Sequence, residues 1–131
     1  MALSLTGIWL LVEDMTRAKS FYLNMLGLAI ETDLGAYVEL KAHEHLLFAL
    51  FERAAMQAGE PEITISPVGG QHATIEFEVE NVDTLYETLR LKNVQFASEP
   101  KDHPEWGLRT AFLHDPDGNL LCLYHRIPWE E

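Results

Sequence analysis

The chain has one cysteine, little basic charge and no long apolar run. Of its 131 residues only 9 are Lys or Arg, against 21 Asp or Glu, and the formal net charge is −12. Nucleic-acid binding needs concentrated Lys and Arg, so no nucleic-acid partner is expected. The single Cys122 excludes an internal disulfide and fits a cytoplasmic protein. No uncharged stretch reaches the roughly 20 residues of a membrane helix, and no basic residue precedes the apolar start, so neither a membrane span nor a secretory signal is predicted.

A strand–helix–strand pattern occurs twice, about half a chain apart. Val12-Glu13-Asp14 in the first copy corresponds to Val79-Glu80-Asn81 in the second, and an apolar stretch with helical spacing follows each. Such a repeat predicts a fold built by duplication, with a functional site where the two halves meet.

The first half reads as a strand, a helix and three further strands. We predict strands at residues 3–12, 28–32, 36–41 and 46–51, and a helix that Asp14 caps and Gly27 ends. Glycines and prolines are frequent in residues 53–71, which are predicted to link the halves. The chain is thus predicted to be a single domain (1–131) made of module 1 (1–52), this linker and module 2 (72–131).

The second half repeats the order. Strands are predicted at residues 73–79, 94–97, 108–114 and 120–125, with a helix at 82–92 that Asn81 or Asp83 caps. Residues 98–104 read as a polar loop, and residues 115–118 read as a tight turn because Pro fixes φ and Gly accepts positive φ. The predicted fold class is α+β, with two tandem βαβββ modules.

The motifs of this chain resemble those of the vicinal oxygen chelate superfamily, which includes glyoxalase I, bleomycin-resistance proteins, extradiol dioxygenases and fosfomycin-resistance enzymes. The matching motifs occur in the family's order: Val12-Glu13-Asp14, Phe21-Tyr22 through Gly27-Leu28, Trp106-Gly107, and Asp115-Pro116-Asp117-Gly118-Asn119. The resemblance implies an open, cup-shaped mixed sheet, a homodimer, and ligands bound in the concave groove.

Enzymes of the superfamily usually hold a divalent metal on four strand positions, typically His, Gln or Glu. The resemblance places these positions at Gly7, at Phe48 or Ala49, at Thr74 and at Cys122. Only the cysteine could bind a metal, so no cofactor, metal ligand or catalytic residue is predicted, and whether the chain is an enzyme stays open. Glu39, in a triplet similar to a metal-binding one, falls one strand too early and reads as an ordinary strand residue.

If the ligand positions that the resemblance gives mark the concave face, strand alternation sends Gly7, Trp9 and Leu11 toward the groove and their neighbours toward the helix. The same argument gives a set of groove residues that combines aromatic rings with carboxylates, and this set suits an organic cation or an aromatic ligand. Solvated acids and a Trp9 that fills a dimer interface are an equally weighted interpretation. The predicted groove residues are Trp9, Phe48, His72, Thr74, Glu76, Glu78, Trp106, Cys122 and Tyr124.

Three functions follow. The first is a metal-independent protein that binds, and by binding sequesters, a small organic ligand as a cytoplasmic homodimer. The second is a metal-dependent lyase, isomerase or dioxygenase with its metal relocated to His72, Glu76 and Cys122. The third is a domain retained for protein–protein interaction. Cys122 is expected to be an inert buried thiol, and His125 to lie on the helix-facing or edge side of the last strand.

Overall fold

The computed structural model describes residues 5–63 and 73–130, and its internal contacts divide the chain into two compact units, residues 1–69 and 70–131. In the described part, no helix has the length and apolar character that crossing a membrane requires. The elements of the first unit are β1 (Gly7–Val12), α1 (Met15–Lys19), a π-helical segment (Ser20–Met25), β2 (Ala29–Asp33), β3 (Tyr37–Lys41), β4 (Leu47–Glu52) and α2 (Arg53–Gly59).

The second unit repeats the topology of the first. Its sheet has the order β5-β8-β7-β6, and that of the first unit has the order β1-β4-β3-β2. In each sheet the strands that come first and last in the chain, β1 with β4 and β5 with β8, pair in parallel, and the other pairs are antiparallel. This confirms two tandem βαβββ modules. The elements of the second unit are β5 (Thr74–Glu78), α3 (Val82–Leu91), β6 (Lys101–His103), β7 (Leu108–His114) and β8 (Leu120–Arg126).

Local signals in the sequence set the helix ends. The Asp14 carboxylate accepts a hydrogen bond from the Arg17 backbone N–H at 3.1 Å, and Asn81 caps α3 through Thr84 in the same way. Gly27 has a φ of +78°, the left-handed conformation that commonly ends a helix. The predicted caps at Asp14 and Asn81 and the predicted helix end at Gly27 are confirmed.

Each sheet has a proximal face, toward α1 or α3, and a distal face turned away from that helix. In the first sheet Leu10 and Val12 are buried, and Phe48 contacts the buried ring of Tyr22 from the helical segment at 5.8 Å. Trp9, the residue before Leu10, lies on the distal face and is 50% exposed. The alternation along β1 is the one predicted.

The proximal face of the second sheet is fixed by apolar burial and two polar contacts. Leu121 and Leu123 are buried, and the Nδ1 of His125, on the same face, accepts the Val82 backbone N–H at 2.9 Å. Arg109 reaches Asp83 of α3 from β7. The helix-facing position expected for His125 is confirmed, and Cys122 and Tyr124 therefore lie on the distal face.

Two segments differ from the predictions. Residues 94–97 do not form the predicted second strand of the second module: an isolated bridge joins Phe96 to Leu113, and the Ser98 hydroxyl accepts a hydrogen bond from the Phe112 N–H. The strand is instead β6, inside the predicted polar loop, where it pairs with β7 at the sheet edge. In the first unit, the predicted linker begins with the helix α2.

Candidate ligand site

The second unit has a cavity of about 330 Å³ that opens on the distal face of its sheet. Three aromatic rings and two charged groups contribute to its lining: Trp106, Tyr124, Trp129, Glu76 and Arg126. Cavities that bind small molecules start at about this size and combine apolar walls with a few polar groups.

The two indoles of the cavity are held by the turn between β6 and β7. The Trp129 indole N–H donates to the Glu105 carbonyl at 2.9 Å, and the Ile127 N–H donates to the Gly107 carbonyl at 3.0 Å. Gly107 has a φ of +70°, and a Cβ there would lie 3.1 Å from the Cβ of Trp129. Only glycine adopts this backbone conformation so close to Trp129 without strain. This accounts for the glycine that follows Trp106.

Both indoles also present their rings to solvent. Trp106 is 55% exposed and Trp129 is 66% exposed. One face of Trp106 stacks on the His103 imidazole, with 3.9 Å between ring centroids and 15° between planes. Exposed indoles fixed from behind are suited to receive a planar or cationic ligand.

The carboxylates of the distal face differ in their partners. Glu78 accepts a hydrogen bond from the Arg126 Nε at 3.0 Å, and this bond raises the pKa of Arg126. Glu76 is exposed and has no ion-pair partner in the described part of the chain. The site therefore presents one uncompensated carboxylate, where the sequence predicted two groove acids of equal standing.

Cys122 lies directly opposite Glu76 in the parallel ladder of β5 and β8. Its thiol is buried, and burial, followed by the nearby Glu76 charge, raises the pKa of this thiol to about 11. A thiol with so high a pKa holds its proton at neutral pH and is a poor nucleophile.

In the first unit, Trp9 belongs to a cluster of three aromatic rings on the distal face. Its ring meets Tyr37 at 6.3 Å and Phe51 at 5.3 Å, both edge to face. The Tyr37 hydroxyl donates to Glu39 at 2.7 Å. Glu39 lies on β3, as expected, and serves here as the partner of a neighbouring tyrosine.

The prediction that Phe48 faces the groove is wrong. Its ring packs against Tyr22 on the proximal face because Phe48 is the register partner of Ile8, whereas Ala49 pairs with Trp9. Phe48 also lines a cavity of about 740 Å³ around the β3–β4 turn, whose other members include His43 and His45.

Two further predicted groove residues, Thr74 and His72, are not among the described residues that line the second-unit cavity. Thr74 is exposed at the start of β5. His72 lies outside the described residues, so the set of His72, Glu76 and Cys122 is represented only by its last two members. Within residues 5–63 and 73–130, no three His, Cys, Asp or Glu side chains form a cluster that could hold a metal.

The residues at the superfamily's metal positions do not fit a divalent ion. Gly7 has no donor, and a Cβ there would lie 3.0 Å from the Leu47 Cβ, so Leu47 occupies the space that a ligand side chain would need. Ala49 supplies no donor, Thr74 supplies a neutral hydroxyl, and the pKa of the Cys122 thiol is raised. This donor set lacks the imidazole and carboxylate groups that such metals prefer.

Sequence reasoning missed Arg126 and Trp129. Both follow the predicted end of the last strand, in a segment without periodicity. The position of Trp129 depends on hydrogen bonds to the backbone of much earlier residues, such as the bond from the Glu130 N–H to the Pro104 carbonyl at 2.8 Å. The one feature of the sequence that could have pointed to Trp129 is that it is a second tryptophan, besides Trp106, in the C-terminal half.

Comparison with known proteins agrees with the fold and the topology. A family model described as a glyoxalase-like domain matches residues 5–125. The Bacillus subtilis (strain 168) protein named uncharacterized protein YraH is 30% identical over 128 residues, covering 95% of this chain and 100% of its own. The tandem βαβββ modules are those of the glyoxalase/bleomycin-resistance/dioxygenase fold. The chain belongs to the glyoxalase-like family, within the vicinal oxygen chelate superfamily that its motifs indicated.

Two solved structures illustrate the range of proteins with this fold. A glyoxalase/bleomycin resistance protein/dioxygenase from Nocardioides superposes with a TM-score of 0.78 at 21% identity, covering 97% of this chain and 85% of that one. TnmS3, described as an antibiotic binding protein from Streptomyces sp. CB03234, superposes with a TM-score of 0.73 at 20% identity, covering 96% and 98%. These similarities establish the fold.

Proposed function

We propose that this chain is a metal-independent small-molecule-binding protein that holds a cationic or aromatic organic ligand in the cavity of its second unit. The observation that carries the proposal is the convergence of Trp106, Tyr124 and Trp129 with the unpaired carboxylate of Glu76 around one cavity. Aromatic faces attract cations through their quadrupoles, and a nearby carboxylate adds charge pairing. Binding of this kind would serve to sequester the ligand, and TnmS3 is a protein of the same fold described as binding an antibiotic.

The titration that tests this uses two matched probes, the para-phenyl-N-methylpyridinium cation and uncharged para-phenylpyridine, at neutral pH. Calorimetry should show saturable binding of the cation to the wild-type protein. Glu76→Gln should lower the affinity for the cation by about three- to fivefold, because an exposed charge pair contributes up to about 1 kcal/mol. The affinity for the neutral probe should not change. The loss should shrink as salt rises.

Glu80→Gln is the matched control, since Glu80 is an exposed glutamate outside the cavity lining. It should bind both probes as the wild type does. Equal effects of the two substitutions, or unchanged cation affinity in Glu76→Gln, would contradict the assignment of Glu76.

We also propose that the protein works as a cytoplasmic homodimer. The exposure of Trp9 beside Tyr37 and Phe51 supports an apolar contact surface in the first unit. Sedimentation velocity on the wild type and on Trp9→Ala tests this: the wild type should sediment as a dimer, and a monomeric wild type would contradict it.

A further inference from the structure

The two charged residues in the lining of the second-unit cavity have backbone positions that lie far apart along the sheet. Glu76 is the register partner of Cys122, and Arg126 lies four positions further along β8 on the same face. At a rise of about 3.3 Å per residue, the two backbone positions are about 13 Å apart along the strand direction. The Glu76 carboxylate is thus attached at one position along the cavity, and the Arg126 guanidinium, which bonds to Glu78 and Tyr124, is held at another.

An aromatic wall joins these two positions. Tyr124 lies on the distal face between Cys122 and Arg126, so its ring lies beside the Arg126 guanidinium, on the side toward Glu76. The exposed indoles of Trp106 and Trp129 line the same cavity. A planar ligand that follows this wall would contact aromatic carbon along its length and meet a different charge at each end.

Arg126 has donors to offer such a ligand. A guanidinium carries five N–H groups, and the bonds to Glu78 and to the Tyr124 hydroxyl use two of them. Both partners of this pair are more than half exposed, so the pair itself contributes little and can share the guanidinium with an incoming carboxylate.

We infer that the ligand is an elongated aromatic zwitterion, with its cationic end at Glu76, its ring system along Tyr124 and its anionic end at Arg126. This inference rests on the proposed function and makes it specific. A cavity with acidic groups alone would bind a simple cation most tightly. A cavity that also contains the Arg126 guanidinium should bind the zwitterion more tightly than the simple cation.

The experiment adds a third probe to the series: para-phenyl-N-methylpyridinium that carries a carboxylate at the far para position. By calorimetry, wild type should bind this zwitterion about three- to fivefold more tightly than the simple cation. Arg126→Gln should reverse the order, because it removes the anion's partner and also releases the charge of Glu78 toward the cation. Glu78→Gln should raise the affinity for the zwitterion, because it frees the Arg126 guanidinium from its ion pair with Glu78.

Opposite effects on two ligands in one variant cannot come from misfolding. Arg90→Gln, which removes an exposed arginine outside this cavity, is the control and should change neither affinity. If the cation binds and the zwitterion binds no better, or if Arg126→Gln lowers both affinities equally, the inference is wrong while the proposed function stands. If none of the probes binds, both fail.

Discussion

Glu76 and Cys122 lie directly opposite each other on neighbouring parallel strands, so the only thiol of the chain has a carboxylate as its neighbour. Burial is the larger cause, and the Glu76 carboxylate the smaller, of a thiol pKa raised to about 11. An acid beside a buried thiol keeps it protonated, whereas reactive cysteines lie near positive charge.

The first prediction is that Cys122 is unreactive in the folded protein. Labelling with an aromatic disulfide near neutral pH should be slow, and should become fast only when denaturant unfolds the chain. Glu76→Gln should change the rate little, since burial dominates. A thiol in the native protein that reacts as fast as free cysteine would contradict this account.

The same shift gives stability a dependence on alkaline pH. Because the folded pKa lies above the unfolded one, the folded state holds this proton more firmly, and stability falls as pH rises from the unfolded pKa toward the folded value of about 11. The Cys122→Ala variant should lack this part of the decline, as urea unfolding at a series of pH values would show.

Gly7 is predicted to be required by packing. A Cβ added there meets the Leu47 Cβ at 3.0 Å, so Gly7→Ala should lower the free energy of unfolding by about 1–3 kcal/mol, as overpacking does. Gly59→Ala is the control, because nothing lies within 4 Å of its added Cβ. Combining Gly7→Ala with Leu47→Gly, which removes both the Cβ at 3.0 Å and the Cδ2 at 3.1 Å, should cost less than the sum of the two single changes. Strict additivity would contradict the contact.

Arg109 joins α3, β6 and β7 through two carboxylates. It makes a two-pronged contact with Asp83, at 2.8 Å for each bond, and a further bond to Asp102 at 2.9 Å. Arg109→Gln should lower the free energy of unfolding by about 1–2 kcal/mol, a value that allows for solvent screening because the Asp83 side chain is half exposed. Arg90→Gln, which removes an exposed contact of 3.7 Å, should have little effect.

The Arg109 contact also predicts a dependence on acid pH. The Arg109 hydrogen bond holds the pKa of Asp83 below its usual value, so its contribution is complete above the ordinary aspartate pKa of about 4 and is lost as pH falls through the lower folded pKa. Asp83→Asn should remove this part of the acid transition. An unchanged acid profile in Asp83→Asn would contradict the assignment.

His125 is predicted to stabilise the start of α3. Its Nδ1 accepts the Val82 N–H at 2.9 Å, one of the helix-terminal donors that have no partner within the helix. His125→Phe should keep the apolar volume and lower the free energy of unfolding by about 1 kcal/mol. The control is His114→Phe, since His114 is exposed at the end of β7. Equal stabilities of the two variants would show that the bond contributes nothing.

Much of the fold could be predicted because the signals were local. Caps, turns and alternation placed α3, β7 and β8 within one residue and the end of β1 at Val12, and the repeat gave the topology. The register of β4 could not be predicted, because its apolar residues show no alternation that would tell the face of Phe48 from that of Ala49. The short polar strand β6 is set by its pairing with β7, a non-local interaction.

The candidate site was predictable only where strand alternation or a motif applied. Glu76 and Tyr124 were predicted because alternation along their strands separates the distal face from the proximal face. Trp106 was predicted because it belongs to the Trp106-Gly107 motif. Trp129 is placed by hydrogen bonds to the β6–β7 turn, and Arg126 by its ion pair with Glu78, and neither contact leaves a trace in the spacing of residues.

The most direct test of metal-independent binding is a calorimetric titration of the para-phenyl-N-methylpyridinium cation into chelator-dialysed protein. It is repeated after incubation with zinc, nickel, manganese and iron, with the metal content determined by mass spectrometry. The account predicts saturable binding in both preparations with the same affinity, weakened in Glu76→Gln. Binding that appears only with about one retained metal per chain, or no binding in either preparation, would contradict it.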